Sequence, residues 1–79
     1  MNPLEKFLRE STAEEKFTVA CHAGTTVNYL YQIASGERSP NVQIAVGIES
    51  GTRAVASRRP EVQAVTCQEI ADIGRVKIQ

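Results

Sequence analysis

The chain has 79 residues, nine basic and nine acidic, with 42% apolar residues and 5% aromatic ones. That is enough for one small domain whose core is marginal unless helix packing is good or a second copy adds to it. So few aromatics do not suit an ordinary β-sandwich, zero net charge gives no overall pull toward phosphates, and no apolar run is long enough for a membrane span or a signal peptide. A cytoplasmic protein without membrane contact is therefore expected.

In chain order, Asn2-Pro3 can cap and start a helix that runs to about Glu10, with Leu4, Phe7 and Leu8 on one face. Thr12-Ala13-Glu14-Glu15 has the form of a capping box and opens a second helix, Ala13 to Ala23. Cys21 within it reads as a small buried thiol and His22 as a surface residue. A third helix begins near Thr26, capped by Thr25 or Thr26, and closes at Gly36. Ser39 as cap and Pro40 in the first turn start a fourth, with Val42, Ile44, Ala45 and Ile48 facing inward and an end near Gly51. From Thr52 to Ala64 there is little periodicity, and Arg58-Arg59-Pro60 reads as a basic loop. Thr66-Cys67-Gln68-Glu69 is a second capping box, opening a short helix through about Ile73 that turns Ile70 and Ile73 inward. Arg75 to Gln79 alternates apolar and polar residues, which fits an edge strand or an unstructured end. The expected fold is an all-α bundle of four to five helices with an optional C-terminal strand: one domain over residues 1–79, with 1–51 the helical core and 52–79 an extension.

The segment Ala20 to Gly36 has the spacing of a helix-turn-helix, which points to double-stranded DNA. Ala20 is the small residue where a second helix crosses, and Gly24 suits a turn that needs positive φ. Leu30 and Ile33, three apart, share a face that can lie on Val19 and Ala23.

The words AGTTVNYLYQIASGERSP (Ala23 to Pro40), IAVGIESGT and VTCQEI resemble the small phage and prophage helix-turn-helix regulators of the Cro-like group, and most closely the branch labelled YdaS-type antitoxins. The likeness covers Thr18 to Gly51. It implies a phage-repressor-like bundle in which the Thr25 to Gly36 run forms the turn and recognition helix, its outer polar residues touching base edges. Two departures stand out: an arginine commonly follows the threonine pair where this chain has Val27, and the usual arginine-proline-aspartate ending is replaced by Ala71-Asp72-Ile73-Gly74.

With Leu30 and Ile33 buried, Thr26, Val27, Asn28, Tyr31, Gln32 and Ser35 are the base-contact candidates. The amides of Asn28 and Gln32 match the donor and acceptor of adenine, and the methyls of Val27 or Thr26 match that of thymine. Lys16, Thr25 and Arg38 are the phosphate-contact candidates. Tyr29 is expected to pack against the fourth helix. Acidic residues crowd the first fifteen positions, whereas Arg38, Arg53, Arg58, Arg59, Arg75 and Lys77 follow the motif, so the basic end can face DNA despite the neutral total.

One histidine and two distant cysteines fall short of a zinc set, and no nucleophilic triad or phosphate loop is present, so neither enzymatic activity, metal nor cofactor is expected. The leading expectation is a sequence-specific repressor at the nucleoid, binding a roughly palindromic operator as a homodimer through the major groove. The resemblance implies either a phage switch or an antitoxin that controls its own operon. The alternative is a docking module that binds a toxin or regulatory protein.

Overall fold

The computed structural model describes the backbone of residues 1–78 and the side chains of residues 1–73. Five helices follow one another: α1 Pro3–Glu10, α2 Ala13–Ala23, α3 Val27–Ser35, α4 Val42–Arg58 and α5 Cys67–Ile78. No strand occurs among the described residues. The alternation at the C-terminus is instead helical as far as Ile78. A lone strand in a helical bundle would leave both its edges unpaired, whereas a helix satisfies N–H and C=O groups within the segment. No helix among the described residues is long and apolar enough to cross a membrane.

Local chemistry sets the starts. Asn2 Oδ1 accepts from the Glu5 N–H at 2.8 Å while the Glu5 carboxylate accepts from the Asn2 N–H at 3.0 Å. Thr12 with Glu15, and Thr66 with Glu69, exchange the same reciprocal bonds, so both capping boxes read from the sequence form. Each satisfies amides that a helix start would otherwise leave bare. The cap of α4 is Asn41 rather than Ser39, its Oδ1 accepting from the Ile44 N–H at 2.8 Å. Pro40 disfavours helical geometry at the residue before it, and Asn41 follows the proline in extended backbone ready to cap.

α4 also continues to Arg58, past the end expected near Gly51, and crosses α2 as its principal neighbour. Its buried positions are Gly47, Ile48, Gly51, Thr52 and Val55. Two glycines and a threonine on the inner face hide the stripe from a search for large apolar residues. A Cβ on Gly51 would stand 2.9 Å from the Val19 Cα, so the absence of side chains lets the two backbones meet.

The core draws on every helix and on the α4–α5 connection: Leu4, Phe7 and Leu8, Val19 and Ala20, Leu30 and Ile33, Ile48 and Val55, Val62 and Val65, then Ile70. Val62 and Val65 lie in the segment that lacks periodicity. The fully buried Thr52 hydroxyl holds that segment in place, accepting from the Val65 N–H at 3.0 Å. Arg59 closes the far end, pairing through Nε and one terminal nitrogen with both Glu15 oxygens (2.7 and 3.0 Å) and reaching the Glu10 carbonyl at 2.9 Å. α3 is held by α1, α2 and α5, and Asn2 Nδ2 donates to the Ala34 carbonyl at 2.8 Å near its C-terminus.

Candidate nucleic-acid interface

The turn between α2 and α3 is built as its residues require. Gly24 takes φ 71° and ψ 35°, and its N–H donates to the carbonyls at the end of α2; the Thr25 N–H donates to the Ala20 carbonyl at 2.9 Å. This is the left-handed closure for which glycine is suited. Thr26, in extended backbone, accepts from the Tyr29 N–H at 3.1 Å and so is the cap of α3. The N–H groups of Val27 and Asn28, in the first turn, have no acceptor within the helix and point out of its positive end. Leu30 and Ile33 are completely buried, in one cluster with Val19, Ala20 and Ala23. The α2–α3 unit is thus a helix-turn-helix with its anchors in place.

Burial of that stripe brings Thr26, Asn28 and Tyr31 to the surface together, with Gln32 half-buried beside them. The side-chain amides of Asn28 and Gln32 make no hydrogen bond to any described residue. Their donors and acceptors are available to a ligand. Tyr31 is 45% exposed, and the Lys16 ammonium stands 5.7 Å from its ring centroid, close enough for a cation–π contact. Lys16 and Tyr31, predicted separately as phosphate and base contacts, form one group at the α2–α3 border. Arg38 is exposed, and its N–H donates to the Gln32 carbonyl at 3.2 Å beyond the left-handed Gly36. Its backbone is therefore fixed to the end of α3.

Other expected positions differ. Val27 is half-buried and packs on the apolar cluster, so only part of it is left to meet a thymine methyl. Ser35 is exposed in the last turn of α3, where its hydroxyl lies 3.1 Å from the Gln32 carbonyl and 3.3 Å from the Glu37 carboxylate. It borders a surface depression that also includes Glu5 and Glu69. That acidic rim lies on one side of Ser35, and on the other side Ser35 shares a depression with Arg9 and Tyr31, one helical turn from Gln32. Thr25 is half-buried and its N–H is spent on closing α2. Tyr29 is half-buried against the core, although α4 is not a principal neighbour of α3.

Cys21 is exposed rather than buried. Ala20 and Ala23 take the inner positions of α2, which turns Cys21 and His22 outward. Cys67 is half-buried, its thiol pushed up by burial and then by the adjacent Glu49 carboxylate. Among the described residues, no three histidine, cysteine, aspartate or glutamate side chains are placed to hold a metal ion.

The cations divide in a way that composition does not reveal. Arg53 pairs with Glu49 at 2.6 Å along the surface of α4, and Arg59 pairs with Glu15 across the bundle. The side chains of Arg75 and Lys77 lie outside the described residues. Near α3 stand Lys16 and Arg38, together with Arg9, which shares a surface depression with Tyr31 and Ala34. Arg9 escapes sequence reading because it lies in a helix of balanced charge, 22 positions before Tyr31. The packing of α1 on α3 brings it there.

Comparison with protein-family models, with curated proteins and with solved structures gives no match to this chain.

Proposed function

We propose that the protein is a sequence-specific double-stranded DNA-binding regulator whose α3 enters the major groove. The observation that carries this reading is the pairing of fully buried Leu30 and Ile33 with an outward row of Thr26, Asn28 and Gln32 on the same nine-residue helix. The free amides can meet adenine, while the Thr26 methyl can rest on thymine. The two bare N–H groups at the start of α3, with Lys16 over the Tyr31 ring and Arg38 beyond the other end of the helix, suit backbone phosphates. The reading carries no bond-making chemistry. Its biological form is a homodimer on a roughly palindromic operator, acting by occupying promoter DNA as a cytoplasmic repressor. A Cro-like switch protein and a YdaS-type antitoxin share that mechanism.

A second reading, docking of a toxin or regulatory protein, draws on the pairing of Arg59 with Glu15 inside the bundle and of Arg53 with Glu49 on the surface of α4, which leaves fewer unpaired cations for phosphates. One experiment separates the two. Duplexes selected on the protein from a random pool, then titrated against shuffled versions at several salt concentrations, should bind tightly, with a specificity ratio of roughly 10³ or more. Equal, weak binding to both would reject the DNA reading and leave the docking module.

A further inference from the structure

We infer that the cleft bounded by the α3–α4 loop, the start of α4 and one side of α5 is a binding site for a small organic acid, an apolar body with a carboxylate at one end. Three separate segments converge on it, residues 38–42, Ala45 and residues 67–73, and it holds about 430 Å3, within the range of small-molecule sites. Fully buried Ile33 and Ile70 lie at its floor, and Ala45, Ile73 and the 80% exposed Val42 stand around them. Those walls favour a molecule with an apolar body over a fully hydrated inorganic anion.

Charge sets the sign of the ligand's polar end. Among the described residues, Arg38 is the single charged side chain lining the cleft, and no aspartate or glutamate pairs with it. The depression on the other side of Ile73, by contrast, holds Glu5, Glu69 and Asp72. The planar guanidinium fork of Arg38 matches a carboxylate, and its backbone N–H is tied to the Gln32 carbonyl at 3.2 Å. Beside it, the Ser39 hydroxyl and the first-turn N–H groups of Val42 and Gln43 have no acceptor among the described residues. The same end of the cleft therefore presents further donors. An acid would lie with its carboxylate at Arg38 and its apolar body over Ile33, Ile70 and Ala45. Arg38 is also a cation proposed to meet phosphate, so a ligand that takes it weakens DNA binding; that consequence rests on the DNA-binding reading, while the site itself does not.

The first test needs no DNA, which keeps its failure distinct from failure of the DNA reading. Phenylbutyrate and its neutral isostere phenylbutanamide, titrated into the full chain and followed by amide NMR, should both shift resonances from Arg38 to Ala45 and from Cys67 to Ile73. The acid should reach a dissociation constant of about 1 mM or tighter, and the amide should bind about fivefold more weakly or worse. Arg38→Gln should bring the acid to the level of the amide and leave the amide unchanged, which separates a carboxylate contact from a loss of fold. Ala45→Phe, which fills the apolar end, should abolish binding of both with an unchanged helical circular dichroism spectrum. Saturating acid should also weaken a selected duplex, and the amide should not. No saturable shift, equal binding of acid and amide, or shifts scattered away from the cleft would overturn the inference. Acid that fills the cleft and leaves duplex affinity unchanged would overturn its coupling to DNA.

Discussion

Gln32 is the residue on which the proposed recognition turns. Its carbonyl accepts the Glu37 N–H at 2.9 Å and the Arg38 N–H at 3.2 Å, closing α3, while its side-chain amide remains open toward the exposed row. Gln32→Ala keeps the backbone role and deletes only the amide. It should weaken a selected duplex by about 1–3 kcal/mol while leaving binding to random DNA nearly unchanged; equal losses on both would deny Gln32 a base contact. Thr52 is its structural counterpart. Thr52→Val preserves shape but leaves the buried Val65 N–H without its acceptor, so thermal unfolding should show a loss of about 1–3 kcal/mol. An unaltered melt would mean that the α4–α5 connection is held by its valines alone.

Among the elements, the crossing of α2 and α4 bears most on the site, because α2 is the scaffold on which α3 is set. A Cβ at Gly47 would fall on the Ala23 Cα and 2.6 Å from the His22 carbonyl oxygen, contacts that only a shift of whole helices can relieve. Gly47→Ala should therefore lower the unfolding free energy by about 1–3 kcal/mol, as overpacking does, even though alanine favours helix. A higher melting temperature would show that the helices do not meet there. The same crossing explains what could be read in advance. α1, α2 and α3 were legible because each announces itself by a cap and by large apolar residues a turn apart, and the α2–α3 turn was legible because Gly24 must supply positive φ. The extension of α4 to Arg58 was not, since Gly47, Gly51 and Thr52 stand among Ile48 and Val55 on its inner face and break up the apolar spacing. Within the site, Thr26, Asn28 and Gln32 followed from helix periodicity. The same periodicity gave Ser35 but does not reveal that Glu5, Glu37 and Glu69 border it, and Arg9 was missed because only tertiary packing brings α1 beside Tyr31.

For the molecule as a whole, neutrality conceals a division of labour among charges. Arg59 binds the end of α4 to the α1–α2 junction through Glu15, whose carboxyl is held below its ordinary value first by the Thr12 N–H and then by the Arg59 guanidinium. Glu49 is held low in the same way, first by the Cys67 N–H and further by Arg53. Both groups release protons more readily when folded than when unfolded. Their contribution is full above the ordinary glutamate range and is lost as pH falls through the lowered folded values. The melting temperature should hold near neutrality and drop below about pH 4.5. Glu15→Gln should melt lower than the wild type at pH 7, with the gap closing in acid; a constant gap would assign the loss to packing and not to charge. In the proposed DNA-binding reading, Arg9, Lys16 and Arg38 are the cations near α3 that would meet phosphate. Backbone amide chemical shifts, recorded by NMR as a selected DNA duplex is added, test that assignment most directly. The account predicts changes concentrated at Thr26 to Arg38, with flanking changes at Arg9 and Lys16 and little at Val46 to Ser57. Changes centred on α4, or none at saturating duplex, would contradict it.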